Sequence, residues 1–209
     1  MIAATVTNAD AALRWLSPQP HAQRIRRPEA LVQNAANSGV GCAVIAIGKE
    51  RGIQTINLVR RDDVIPEVVA AGGDVVLKDD DDAVSRIAGT VGDKPISLAL
   101  DGVGGTATAR LAKTLSQHGH LVGYAFMGGY DAPGDFRPLM DKDITLHSFY
   151  QVRPEYDAKI PGILDQATAL ITSGKLNVPV AATYPLSAIK DAVAHVERGG
   201  KVLLDAQET

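Results

Sequence analysis

EALVQNAANSGVGCAVIAIGKERGIQTINLVRR, Glu29 to Arg61, decides how the rest of the chain is read. It opens with an apolar run, Ala30-Leu31-Val32, and breaks into small and polar residues from Asn34 to Ser38. Gly39 and Gly41 follow, then a helix-like segment from Val40 to Arg51. A second apolar run, Ile53 to Val59, closes on Arg60 and Arg61. In physical terms this is strand, glycine-rich turn, helix, strand. Such a turn at a helix N-terminus offers backbone N–H groups and positive potential with no side chain in the way, which is what a pyrophosphate requires. Ser38 can donate a hydrogen bond and Gly39 permits close approach, so Asn37, Ser38, Gly39 and Val40 are the candidate phosphate-binding residues. The glycine pattern is not intact, because aligned on Gly39 it reads A-x-x-G-x-G-x-x-V rather than G-x-G-x-x-G. A structural turn in a non-binding α/β domain would also account for it.

The second strand narrows the reading. In NAD-binding units an acidic residue roughly 20 positions beyond the glycines takes the ribose hydroxyls. Here the corresponding positions hold Arg60 and Arg61. A carboxylate repels a 2'-phosphate, whereas a guanidinium pairs with it bidentately. The ending therefore suggests NADP rather than NAD, with two arginines on a solvated loop as the alternative.

Length and composition bound the classes. The chain has 209 residues, 45% hydrophobic and 22% charged, enough to bury a sizeable core in an ordinary globular domain. A net charge of -3 asks for neither nucleic acid nor an anionic membrane. The single cysteine, Cys42, excludes an intramolecular disulfide framework and a zinc site built on several cysteines. A cytoplasmic location is the default expectation. No apolar run reaches the ~20 residues a membrane span needs, and the N-terminus lacks a secretory signal layout.

Along the chain, Asn8 to Leu16 reads as an amphipathic helix with Asn8 as N-cap, stopped by Ser17-Pro18-Gln19-Pro20. His21 to Pro28 is a basic linker. Beyond Arg61, helices are expected over 64–71, 83–88, 106–117, 156–173 and 187–198, the last capped by Ser187. Strands are expected over 75–77, 96–100, 121–124, 144–150, 178–184 and 201–204. Asp79 to Asp82 are four adjacent carboxylates. Adjacent side chains do not converge on a metal, and aspartates suit the start of the following helix. His118-Gly119-His120 reads as a solvated turn, with no third metal ligand near it. Phe126 to Arg137, rich in glycine, proline and aromatics, has the composition of a loop over a ligand.

About six strands alternating with helices imply parallel strands joined by right-handed crossovers, hence an α/β fold with an open, doubly wound parallel sheet. Ligands bind at the C-terminal ends of such strands. Those ends fall at Asn34–Gly41, Arg60–Arg61, Asp101–Gly105, Tyr124–Gly128 and Phe149–Tyr150. No Ser-His-Asp or Cys-His set is evident. Cys42 at the helix start is expected to pack against the sheet. Tyr124, Tyr130, Tyr150 and Tyr156 could each serve as an acid, although tyrosines in such loops more often stack or pack.

The run VQNAANSGVGCAVIAIGKERGIQTINLVRR closely resembles the cofactor-binding segment of the 2-enoyl thioester reductases, of the mitochondrial enoyl-ACP/enoyl-CoA reductase type. These belong to the zinc-independent medium-chain dehydrogenase/reductases, next to the quinone oxidoreductases. The likeness continues in LALDGVGG, GHLVGYAFMGG, LHSFYQVR and ERGGKVLL, and covers nearly all of the chain. It implies a Rossmann domain that binds NADPH and, in a complete enzyme, delivers hydride to a 2-enoyl thioester. By position, Asn37 to Val40 would hold the pyrophosphate, and Arg60, Arg61 and Asp62 would surround the 2'-phosphate. Tyr124, Ala125, Phe126 and Met127, with Phe149, Tyr150 and Gln151, would line the nicotinamide side, and Lys201 would reach the cofactor from the final strand. NADAALRWL resembles the family's N-P-x-T-A-x-R-x-L helix, which makes Asn8 a cofactor contact, although Ala9 and Ala11 replace its proline and threonine.

Members of this family carry a GroES-like domain ahead of the Rossmann domain, and it contains the tyrosine that protonates the substrate. The expected division is therefore 1–28 as lead-in helix and linker, 29–177 as NADP-binding domain and 178–209 as a strand-helix-strand tail that packs on the other domain. A fragment or a natural truncation, inactive alone, is the expectation that follows. Quinone reduction and a non-catalytic NADPH-binding module are the alternative functions. The family's habit also implies a homodimer, a small-molecule acyl thioester or quinone as partner, and no metal.

Overall fold

The computed structural model describes residues 28–129, 131, 135, 137–149 and 160–207. They divide into two compact units, with the boundary along the chain between Leu176 and Asn177.

The larger unit holds six parallel strands: β1 (Ala30–Gln33), β2 (Gln54–Val59), β3 (Val75–Lys78), β4 (Ile96–Asp101), β5 (His120–Gly123) and β6 (Thr145–Ser148). Their order is β3-β2-β1-β4-β5-β6. Among the described residues, six helices accompany them: α1 (Gly39–Arg51), α2 (Ile65–Ala70), α3 (Ala83–Val91), α4 (Thr106–Thr114), α5 (Arg137–Asp141) and α6 (Ile160–Thr172). This is the doubly wound order in which the chain reverses direction across the sheet between β1 and β4.

Both faces of the sheet are covered, which is why β1 is buried at all four of its positions. Ala30, Val32, Ile56, Leu58 and Leu121 face one side, where Ile87 of α3 and Leu111 of α4 pack on them. Leu31, Leu98, Leu100 and Val122 face the other side, against Val40 and Val44 of α1. Ile45 of α1 and Val68 of α2 extend that second layer over Val59 and Val76. A register shift between β1 and β4, where Ala30 pairs with Ile96 but Leu31 with Leu98, leaves Ser97 as the extra residue. The bulge puts Ile96 and Ala99 on the same face despite their odd spacing.

The first two carboxylates of the acidic run after β3 are paired with arginines. Asp79 accepts from Arg110 Nε at 2.8 Å, and Asp80 accepts from Arg86 Nη2 at 2.5 Å, so both carboxylates tie β3 to the helices behind it. Asp82 precedes α3 without a side-chain cap. Several boundaries move from the sequence expectation. α4 stops at Thr114 rather than 117, because Leu115 turns extended and buries itself while Ser116 Oγ accepts from the Ile96 N–H at 3.0 Å. α5 begins at Arg137, the end of the expected loop, and runs on through residues to which no element was assigned. His118 and His120 do not share a solvated turn: His118 sits 3.1 Å from Asp143 of the loop before β6, while half-buried His120 meets His147 on β6 at 3.0 Å.

The smaller unit contains β7 (Ala182–Pro185), α7 (Ile189–Arg198) and β8 (Val202–Asp205), with β7 and β8 parallel. β7 begins four residues later than the expected start at Val178. Ser187 does not cap the helix: it lies inside the 3-10 turn Leu186–Ala188, and Ala188 occupies the cap position without a side-chain bond. Tyr184 Oη and His195 Nδ1 lie 2.9 Å apart within this unit.

Candidate functional site: the C-terminal rim of the sheet

The turn between β1 and α1 is built by side chains on either side of it. Ser38 is the N-cap of α1, in extended conformation at φ -75° and ψ 166°, and its Oγ accepts from the Gly41 N–H at 3.1 Å. The Gly39 and Val40 amides, in the same first turn, have no intrahelical acceptor. No carboxylate lies in that first turn to compete with an anion. Ala35 holds φ at +49°, a left-handed backbone that costs a side-chain-bearing residue about 1–2 kcal/mol. Ser38, not Gly39, thus closes the turn, by accepting.

Gly41 explains the second glycine. A Cβ there would overlap the Ala36 backbone, its carbonyl oxygen first, so the first turn of α1 lies directly on the incoming chain. Gln33 fastens it further, donating from Nε2 to the Gly41 carbonyl at 3.1 Å and to Asn57 Oδ1 at 2.8 Å. Asn57 in turn donates to the Thr55 carbonyl and, across to β3, to the Val75 carbonyl.

At the switch point between β1 and β4 lies a second buried network. Asn34, fully buried, donates from Nδ2 to Asp101 Oδ1 at 2.6 Å and accepts from the Gly102 N–H at 2.7 Å. Asp101 Oδ1 also accepts from the Val103 and Gly104 amides, each at 2.9 Å, and its Oδ2 accepts from Thr108 Oγ1 at 2.5 Å. The loop after β4 is thereby bent around one carboxylate. The loop after β5 follows it: Tyr124 N–H donates to the Asp101 carbonyl at 2.9 Å and Gly128 N–H to the Val103 carbonyl at 2.7 Å.

Tyr124 leaves the sheet after β5 and lays its ring over Gly102, where an added Cβ would come within 2.5 Å of the hydroxyl. That hydroxyl is buried without a well-aligned hydrogen bond, although the Ser38 side chain lies beside it. Burial, and then the Asp101 charge, push its pKa well up, so it stays protonated across the physiological range. Phe149, the first residue after β6, is buried against the same layer, while Phe126 and Met127 are exposed, Met127 at 68%.

Arg60, Arg61 and Asp62 follow β2 and are exposed. Arg61 Nε donates to Asp63 at 3.0 Å, and Asp62 accepts from Lys78 Nζ at 3.1 Å. The structure thus gathers Asn37 to Val40, Arg60 to Asp62, Tyr124 to Met127 and Phe149 along one rim, at the ends of β1, β2, β5 and β6. Lys201 immediately precedes β8 in the smaller unit. Asn8, Tyr150 and Gln151, with Tyr130 and Tyr156, lie outside the described residues. Cys42 is buried, as expected of a packing residue. Sequence reasoning placed Asp101 to Gly105 on the rim but missed Asn34, Asp101 and Gly41 as the groups that shape it; the signals were an asparagine directly after a strand and the Asp-Gly pair ending β4.

Residues 71–203 match the family model described as zinc-binding dehydrogenase. The chain belongs to the zinc-binding dehydrogenase family. Among the described residues, no group of three or more His, Cys, Asp and Glu is placed to hold a metal ion, so the zinc of the family's description has no donor set there. A curated relative, the mitochondrial enoyl-[acyl-carrier-protein] reductase of Xenopus tropicalis, is 32% identical over 196 residues, covering 88% of this chain and 55% of that protein. The corresponding rat enzyme is 29% identical over 182 residues, covering 82% and 48%. The chain spans about half the length of these relatives. Of solved structures, an Etr1p complex with NADP and crotonyl-CoA superposes with a TM-score of 0.78 at 20% identity, covering 96% of this chain and 59% of that one. At that identity the superposition speaks for the dehydrogenase fold. No helix among the described residues is long and apolar enough to cross a membrane.

Proposed function

We propose that this chain is the NADPH-binding domain of an oxidoreductase that reduces a 2-enoyl thioester, enoyl-ACP or enoyl-CoA. The observation that carries the reading is the rim itself. A helix N-terminus with no acidic residue and two amides without an intrahelical acceptor sits at the switch point, and Arg60 and Arg61 stand where an NAD-binding unit has a carboxylate. The enoyl reductase names of the relatives supply the acceptor.

In this reading the Gly39 and Val40 amides and Ser38 hold the pyrophosphate, with Asn37 beside them. Arg60 and Arg61 are the guanidiniums for the 2'-phosphate, Arg61 resting in an exposed pair with Asp63, and Asp62 lies beside them. Bound NADPH supplies a hydride for C3 of the thioester. Tyr124 to Met127 and Phe149 line the nicotinamide side, with buried Phe149 and the half-buried Tyr124 ring packed together at that end of the rim. Asn8, Tyr150, Gln151 and Lys201 complete the proposed contacts. Tyr124 is the described tyrosine on this rim, and its hydroxyl is sealed over Gly102 with a raised pKa, a poor proton donor. The purified 209 residues are therefore expected to show little or no reduction of crotonyl-CoA. Turnover of a quinone instead would move the reading to the quinone oxidoreductases. A cytoplasmic homodimer belongs to the same proposal, and cell fractionation and light scattering test it.

The deciding experiment titrates NADPH and NADH into the chain and follows nicotinamide fluorescence, for the wild type and for Arg60→Ala. Losing one charge-assisted pair of about 1.5–3 kcal/mol should weaken NADPH ~10–100-fold and leave NADH within ~2-fold. Equal losses for the two cofactors would remove Arg60 from its role. No binding of either cofactor at high micromolar concentration would overturn the function.

A further inference from the structure

We propose that Lys78 is a third cation of the 2'-phosphate site, held beside it by Asp62 and released to the phosphate when NADPH binds. The proposal rests on the NADPH reading above. Lys78 is the last residue of β3 and pairs in register with Val59, so it stands one strand out from Arg60 and level with the end of β2. The Asp79 N–H extends that pairing to the rim by donating to the Val59 carbonyl at 2.8 Å. Alternation along β3 fixes the direction of the side chain. Val76, two residues earlier, packs in the layer that contains Ala36 of the glycine-rich turn and Val64 beyond Arg61. Lys78 therefore leaves the strand toward the turn and α1, not toward α3 and α4. Its Nζ crosses to the segment after β2 and stops 3.1 Å from Asp62 Oδ2.

The charges at that corner fit a dianion better than they fit each other. Arg60, Arg61 and Lys78 face Asp62 and Asp63, three cations against two carboxylates. Both ion pairs are open to water, with Lys78 and Asp62 exposed at 43% and 67%, and pairs so exposed hold weakly. A phosphomonoester carries about -1.5 to -2 charges at neutral pH and three acceptor oxygens, more than a single carboxylate offers an ammonium. Of the carboxylates that follow Lys78, Arg110 holds Asp79 and Arg86 holds Asp80, and the ion pair Lys78 itself makes is with Asp62. With NADH nothing draws Lys78 from Asp62. Lys78 thus sets discrimination between the two cofactors rather than affinity for dinucleotides in general.

The test uses the whole chain and cofactor fluorescence, with no assay of turnover. Lys78→Met keeps the apolar stem and removes the charge. It should weaken NADPH ~5–30-fold, leave NADH within ~2-fold and flatten the salt dependence of NADPH binding, while Lys78→Arg restores most of the preference. Asp62→Asn should tighten NADPH several-fold, and by clearly less when Lys78 is already Met. An unchanged NADPH-to-NADH ratio in Lys78→Met, or the same Asp62→Asn gain in both backgrounds, overturns the proposal while the functional reading stands. A wild-type chain that does not prefer NADPH removes both.

Discussion

Replacing Asn34 by alanine tests whether the buried bridge between β1 and β4 holds the switch point together. The side chain is fully buried and makes two bonds, one to the Asp101 carboxylate at 2.6 Å and one from the Gly102 N–H at 2.7 Å. Truncation strips Gly102 of its acceptor, leaving a buried amide at a cost of about 1–3 kcal/mol. It also removes one donor from a carboxylate, where a bond contributes about 1.5–3 kcal/mol. Asp101 keeps the Val103 and Gly104 amides and Thr108, so its share falls at the lower end. A water entering the small gap could restore part of the amide's loss. The expected destabilisation is therefore about 3 kcal/mol, a large fraction of the 5–15 kcal/mol typical of a folded domain. Urea unfolding followed by circular dichroism should show the midpoint falling by about 1–1.5 M if m is near 2–3 kcal/mol per M and unchanged. A double-mutant cycle with Asp101→Asn should return a coupling of about 1–3 kcal/mol. A loss under about 1 kcal/mol, or strict additivity in the cycle, would refute the claim that the two residues act as one bridge.

Gly41→Ala should fail more severely, because its Cβ would overlap Ala36 backbone rather than a mobile side-chain end. A loss of about 3 kcal/mol or more, or no soluble protein, is expected from forcing that overlap, and a chain with wild-type melting and cofactor affinity would contradict the packing described. For His120 and His147, burial lowers both pKa values from the usual 6.5, and the neighbouring His120 charge lowers that of His147 further. The unfolded chain therefore binds more protons below about pH 6.5 than the folded one does, so stability is full above that pH and declines as pH falls toward the folded values. Urea midpoints measured between pH 7.5 and 5.5 should drop for the wild type and drop less for the His120→Gln, His147→Gln double variant; equal slopes would count against the pair.

The sheet was readable because its evidence is local and periodic. Each strand is a short apolar run bounded by glycine, proline or charge, and alternation with helices fixes parallel pairing almost without choice. Some boundaries moved because one long-range bond overrides local preference. α4 ends early because Leu115 finds the core and Ser116 finds Ile96 on a neighbouring strand. His120 was assigned to a solvated turn because its partner, His147, is 27 residues away on β6. The four consecutive aspartates were read as suited to the start of the following helix, but Asp80 and Asp79 pair with arginines from two helices, Arg86 on α3 and Arg110 on α4.

The site divides along the same line. The phosphate turn and the two arginines are contiguous with their strands, so order along the chain placed them on the rim. What shapes the rim is not contiguous. Asn34 meets Asp101 across 67 residues, and that meeting exists only because β1 and β4 are neighbours in the sheet although two other strands separate them in sequence. The same reversal opens the crevice at this point, since the loops after β1 and β4 run off to opposite sides. A crevice between diverging loops lacks the packing that would otherwise hold its walls, and a buried, directional network is one way to fix them without filling the space. Asn34 and Asp101 stand at the base of that crevice, with Ser38 and Tyr124 above them. The polarity of this base therefore follows from the topology: an apolar pair there would leave the Gly102, Val103 and Gly104 amides without acceptors just where the loop must turn.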